Sequence, residues 1–210
     1  MSISTVCAKY FDVRVAFPES FVEKWVDRLT KRNDVVLDPF CGRGTTPFQS
    51  LLMGRKSLAS DINPVAYCVS KAKTNAPSAA AVRRRITELE NGFSHRTWEG
   101  QRRQTPEFFH FAYSQGTLRQ LLYLRSSLRW EKSNTDCMIA GLILGALHGE
   151  TQKSSSYLSN QMPRTISTKP AYSVRFWQRH ELSPRIAMRS SCSDISSRFD
   201  MKVIRPTNKR

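Results

Sequence analysis

Apolar residues recur at helical spacing in 19–32 (ESFVEKWVDRLTKR), where Phe21, Val22, Trp25, Val26 and Leu29 share one face. Pro18 precedes this stretch, and Glu19 sits in its first turn, where the helix dipole favours an acid. The pattern then shortens. Val35-Val36-Leu37 is a β-branched apolar run that predicts a buried parallel strand ending at Asp38-Pro39. After the glycine loop at 42–44, Thr45 to Met53 reads as a helix closed by Gly54, and Lys56 to Ser60 as a second strand ending at Asp61. Asn63 suits an N-cap and Pro64 the first helical position, so a further helix covers Val65 to Lys73, before the break at Pro77. Helix, strand, helix, strand, helix is the order of one half of a doubly wound α/β sheet.

Beyond Pro77 the periodicity becomes helical. Residues 78–90 read as a helix, and 91–105, polar and without a period, as a linker or exposed loop. Leu118, Leu121, Leu122, Leu124 and Leu128 mark another helix; Asn134 is the candidate cap of one from Thr135 to Leu147, stopped at Gly149. Residues 150–171, rich in Ser, Thr, Asn and Gln, read as a long polar loop. From 172 onward Tyr172, Val174, Phe176 and Trp177 stand among basic residues, and a Ser/Arg-rich stretch at 183–198 follows without an obvious closing element. No internal repeat is present. The expected division is 1–77 as an α/β half, 78–105 as helix and linker, and 106–210 as a mainly helical region.

Composition narrows the partners. The longest uncharged apolar stretch, Cys137 to His148, is twelve residues, short of the roughly 18 of a membrane span. No basic region followed by an apolar run opens the chain, so a secretory signal is not expected and the cytoplasm is the default location. Five scattered cysteines form no C-x-x-C pair, and four histidines lack ligand spacing; reduced thiols and no metal site are expected. The 33 Lys and Arg against 17 Asp and Glu leave a charge of +16. Residues 1–75 hold eleven basic and seven acidic side chains, net +4, and 76–210 carry the remaining +12. A field of that sign in the second part attracts nucleic acid or an anionic surface.

The chemistry concentrates in Asp38-Pro39-Phe40-Cys41-Gly42-Arg43-Gly44-Thr45-Thr46, at the carboxyl end of a predicted strand. Gly42 and Gly44 permit a tight turn and close approach of a ligand to the backbone. No lysine follows Gly44 as a P-loop requires, and Pro47 stands where a dinucleotide fingerprint needs a third glycine. Asp38 before the loop would repel phosphate and suits a cationic ligand; the ammonium and sulfonium of S-adenosylmethionine fit. Asp61 lies 23 residues after Asp38, near the offset at which an acid meets ribose hydroxyls.

The DPFCGRGTT run, followed by SDINP, resembles the cofactor-binding half of the DNA methyltransferases that methylate exocyclic amino groups of adenine or cytosine. Ala16-Phe17-Pro18-Glu19-Ser20-Phe21 is similar to the family's additional cofactor-binding segment, and the order of motifs matches members whose catalytic motif comes last. The resemblance covers about residues 14–75 and implies a Rossmann-like methyltransferase fold, a partial parallel sheet with flanking helices, followed by the basic helical region. It implies that Asp38, Pro39, Phe40, Gly42, Gly44 and Thr45 hold the methionine end of S-adenosylmethionine. It also implies that Asp61 holds the ribose, and Phe17, Pro18 and Ile62 the adenine or adjacent surface. Plain alternatives stand beside these roles: a turn former for Asp38, a loop or cap acid for Asp61, a core aromatic for Phe17. Cys41 reads as a buried thiol, not a nucleophile, and Arg43 either reaches acceptors near the cofactor carboxylate or points to solvent.

Amino methylation must localise a lone pair delocalised into the base, and the family does so with [DNS]-P-P-[YFW]. The ten prolines here include no adjacent pair. No catalytic residue is assigned, and the chain is expected to be the front part of a longer enzyme of a restriction-modification or regulatory kind, inactive alone. The basic second part is then the candidate DNA-facing region, with Arg83, Arg84, Arg85, Arg102, Arg103, Lys153, Arg164, Lys169, Arg175 and Arg179 as phosphate contacts. Two other readings remain: an RNA methyltransferase acting on the guanine amine of tRNA, and a non-catalytic cofactor-binding or nucleic-acid-binding remnant.

Overall fold

Pro18 occupies the N-cap of the first helix, and its carbonyl accepts from Phe21 N–H at 3.0 Å. The computed structural model of the protein describes residues 18–149, 159–160, 162–166 and 168–184. In chain order the elements are α1 (Glu19–Leu29), β1 (Val35–Asp38), α2 (Thr45–Leu52), β2 (Lys56–Ala59), α3 (Pro64–Thr74), α4 (Ala79–Gly92) and α5 (His95–Arg103). They continue with α6 (Glu107–Ala112), α7 (Gln115–Ser127), α8 (Asn134–Ala146), β3 (His148–Gly149), β4 (Ser159–Asn160) and α9 (Pro170–Arg179). The described residues group into two compact units, one of 18–82 with 129–145 and one of 83–128 with those beyond 145.

In the first unit β1 and β2 pair in parallel, from Val35 opposite Lys56 to Asp38 opposite Ala59. Helix α2 packs on both strands and on α1 and α3. It covers the face of Val36, and the opposite face stays open: Leu37 is 66% and Leu58 60% exposed. The run at 35–37 is therefore a strand, as its β-branched pattern predicts, but not a buried one. Two strands have two faces, and among the described residues one layer of helix covers one of them. The stripe of α1 divides similarly, Val22 and Val26 being buried while Phe21, Trp25 and Leu29 are exposed.

Local chemistry sets the helix starts. Asn63 Oδ1 accepts from Val65 N–H at 2.9 Å and Pro64 fills the first position of α3, as expected from sequence. Helix α8 differs: Asn134 is already helical, and Ser133 Oγ accepts from Asp136 N–H at 3.2 Å. Asp136 in turn accepts from Arg129 N–H at 2.9 Å, tying the turn before the helix to its first turn. Helices α3 and α8 meet through Cys68 and Cys137, both buried free thiols with sulfurs 3.8 Å apart.

Several elements of the second unit depart from the sequence reading: β3 and β4 pair in parallel where the sequence predicts a helix stop and a polar loop, and helices α5 and α9 lie outside the predicted ones. Residues 95–103, expected as linker or loop, form α5. Glu99 organises it, receiving Arg102 at 2.7 Å, Arg103 at 3.3 Å and Arg119 of α7 at 2.7 Å. A helix held by charge pairs at i+3 and i+4 leaves no apolar period to read. The expected loop-and-tail region around 171 contains α9, with Pro170 in its first turn. Trp177 is 0% exposed and packs with Ala112, Met162 and Val174, while its Nε1–H donates to Pro163 O at 2.6 Å. Within the described residues no helix is long and apolar enough to cross a membrane.

Candidate functional site

Strand β1 delivers Asp38 to the start of the glycine loop, where its Oδ1 accepts from Phe40 N–H at 3.1 Å. The loop is fastened to the end of β2, Cys41 N–H donating to Ser60 O and Ser60 Oγ to Pro39 O. Gly42 and Gly44 have φ of 48° and 74°, in the left-handed region that glycine enters without steric cost. Gly44 is the N-cap of α2, and its N–H closes a turn on Cys41 O at 2.7 Å.

Asp61 braces this loop from the end of β2. Its Oδ2 accepts from Gly42 N–H and its Oδ1 from Asn63 N–H, both at 2.8 Å. The bond from Asn63, and then that from Gly42, holds its carboxyl below the usual carboxylate range. Each oxygen keeps a second lone pair for a hydroxyl donor. Asp61 is thus a loop acid with acceptor capacity to spare. Cys41 is buried, and that burial pushes its thiol up, as an unreactive thiol requires.

Helix α3 backs the loop through residues that the sequence reading does not name. Ser70 Oγ donates to Gly42 O at 2.9 Å, and Lys73 Nζ to Arg43 O at 2.8 Å. Ser70 is buried beside Cys68, Val69 and Ala72, and a lone hydroxyl on such an apolar helical face is the signal that points to it. Arg43 is half-buried, so its side chain does not simply extend into solvent.

Among the described residues the loop's outer side is open: a Cβ added to Gly42 would meet none of them within 4 Å, whereas one on Gly44 would lie 2.7 Å from Ser70 Oγ. Phe40, 85% exposed, and Ile62, 98% exposed, flank the loop on the carboxyl ends of β1 and β2. Pro18 lies exposed at the start of α1, and Thr45 opens α2 half-buried. Phe17 lies outside the described residues. The Asp38 carboxyl, a glycine at 42 that no described residue crowds and an acid with spare lone pairs together fit the cationic, hydroxyl-bearing cofactor inferred from sequence. Among the described residues no three His, Cys, Asp or Glu side chains gather as a metal-ligand set.

Residues 9–72 match the family model described as DNA methylase, of the N6/N4 type. The matched stretch holds the whole loop, Asp61 and most of α3, and spans just under a third of the chain. No curated protein and no solved structure matches the chain significantly. The described residues of the matching stretch, 18–72, lie in the α/β part of the first unit, with the glycine loop at the carboxyl end of a parallel strand pair.

The candidate phosphate contacts separate into distinct environments. Arg84, Lys169 and Arg175 are exposed. Arg164, also exposed, donates to Tyr172 OH at 2.9 Å and lies 5.1 Å over the ring of Phe176. Arg102 is bound by Glu99 and by His110 Nδ1 at 3.0 Å, and Arg103 by Glu99. Arg83 and Arg85 are half-buried, and Arg85 donates to Ser127 O at 3.0 Å. Arg179 is exposed at the end of α9, and Lys153 lies outside the described residues.

Proposed function

We propose that this chain is the cofactor-binding part of an S-adenosylmethionine-dependent DNA amino-methyltransferase, with a Rossmann-like methyltransferase fold, acting on adenine N6 or cytosine N4. The braced glycine loop between Asp38 and Thr45, lying within the segment that matches the DNA methylase model, carries this reading. When bound, the cofactor supplies an electrophilic methyl group on a sulfonium. Asp38 attracts the positive charges of that end, Gly42 lets the ligand approach the backbone, Gly44 lets the loop close against Ser70 beneath it, and Asp61 accepts from ribose hydroxyls. Phe40 and Ile62 offer apolar surface to the adenine. The 210 residues contain no adjacent prolines, so the lone pair of the target amine is localised by no Pro-Pro-aromatic group of this chain. The exposed Arg84, Arg164, Lys169 and Arg175 supply the phosphate contacts.

Titration of the purified chain with S-adenosylmethionine and its demethylated product, followed calorimetrically, tests the cofactor site. Saturable binding that weakens about tenfold in Asp38→Asn is the expected outcome, the size of a lost charge-assisted contact. Absence of binding at millimolar ligand would overturn the reading. Competitive titration with DNA and with tRNA then distinguishes the two substrates; cofactor binding without turnover is expected of this chain, and methylation of either nucleic acid by it alone would overturn the reading that the catalytic group is missing.

A further inference from the structure

Two consecutive carbonyls of the glycine loop, those of Gly42 and Arg43, are held by side chains one turn apart on α3. Ser70 Oγ donates to the first at 2.9 Å and Lys73 Nζ to the second at 2.8 Å. The Gly42 N–H is fixed independently by Asp61 at 2.8 Å, so side chains from α3 and from the turn after β2 hold the peptide groups on either side of Gly42. A trans peptide is planar, and fixing a carbonyl also fixes the direction of the N–H across the same bond. Ser70 is 6% exposed and leaves no room for a side chain at Gly44, where an added Cβ would come within 2.7 Å of its hydroxyl. It also receives the Cys41 thiol at 3.5 Å. One buried hydroxyl thus touches the loop at Cys41, Gly42 and the approach to Gly44.

We propose that Ser70, assisted by Lys73, is a positioning residue for ligand binding: α3 orients the loop's peptide planes, so that the loop is ordered before its ligand arrives. The inference rests on the cofactor reading above. It assigns to α3 a part in affinity although neither side chain need touch the ligand. A preordered loop loses less conformational freedom on binding, and this is where the gain in affinity arises.

The wild type and four variants test it, each measured for S-adenosylmethionine affinity, thermal midpoint and amide hydrogen exchange at residues 42–44 without ligand. Ser70→Ala should bind about tenfold more weakly, the effect of losing one buried hydrogen bond, and exchange faster at 42–44. Ser173→Ala is the matched control in the second unit, where an equally buried serine donates to Arg164 O and accepts from Ile166 N–H. It should lower the midpoint and leave affinity unchanged. Should Ser70→Ala not fold, Lys73→Met, expected about threefold weaker, and Lys73→Arg, expected near wild type, ask the same question at a less buried position. Wild-type binding with unaltered affinity and exchange in Ser70→Ala, or in Lys73→Met if that is the variant measured, overturns the positioning role alone. A wild type that binds nothing overturns the cofactor reading itself.

Discussion

Gly42 and Gly44 share a left-handed backbone but differ in what surrounds them, and substitution separates the two roles. Gly44→Ala places a methyl group 2.7 Å from Ser70 Oγ at a φ of 74°. It should cost about 2 kcal/mol or more in urea unfolding, from backbone strain plus overpacking. Gly42→Ala meets no described residue within 4 Å and should cost only about 1 kcal/mol. Its methyl group projects into the space in front of the loop, so the same variant should lose most of its cofactor affinity. Equal affinity in Gly42→Ala and wild type would show that no ligand approaches there. The acids and glycines of this site were legible because their meaning is local: an acid ends each strand, and a glycine run opens a helix. Ser70 was not, because its contact with Gly42 spans 28 residues and exists only once α3 lies behind the loop.

Helices α5 and α9 illustrate two ways in which an element escapes a periodicity search. Helix α5 is organised by one carboxylate among three guanidinium groups, and its sequence therefore looks like a charged linker. Arg102, then Arg119, holds the Glu99 carboxyl well below the usual carboxylate range. A depressed folded pKa contributes stability above the ordinary value, and that contribution is lost as pH falls through the folded one. Acid should therefore weaken the second unit below about pH 4.3, and Glu99→Gln should flatten the dependence of the thermal midpoint on acid pH. An unchanged pH profile would contradict the Glu99 cluster. Helix α9 is short, and its buried face depends on Trp177, which meets residues of α6 and Met162. Trp177→Ala should destabilise the second unit by about 3–5 kcal/mol, measurable as an early loss of exchange protection in α9. By contrast, the elements from α1 to α3 were readable in order, since turn residues and caps punctuate each of them. What sequence could not convey was exposure: Val35-Val36-Leu37 reads as buried because apolar runs usually are, whereas burial depends on what covers the strand.

At the scale of the whole chain, the net charge of +16 and its concentration beyond residue 75 favour a polyanion. Nucleic-acid affinity should fall linearly on logarithmic axes as salt rises. Replacing Arg84 or Arg175, both exposed, with Ala should reduce the slope by about one unit each. Arg102→Ala should leave the slope nearly unchanged and lower stability instead, because its guanidinium already serves Glu99. The reverse outcome would move the polyanion-facing surface to α5.

The uncovered sheet face bears on how copies of the chain behave toward each other. Leu37 and Leu58 lie side by side on an open face, and among the described residues neither strand has a second neighbour. Unpaired strand edges of this kind invite self-association. At low ionic strength the positive charge keeps copies apart; at about 0.15 M salt the screening length shrinks to roughly 8 Å and that repulsion fades. Colloidal stability should therefore decline with salt, visible as turbidity or a growing hydrodynamic radius, and Leu37→Lys should restore it. The positive charge expected to favour a polyanion should thereby also keep the apolar sheet of one copy away from that of another.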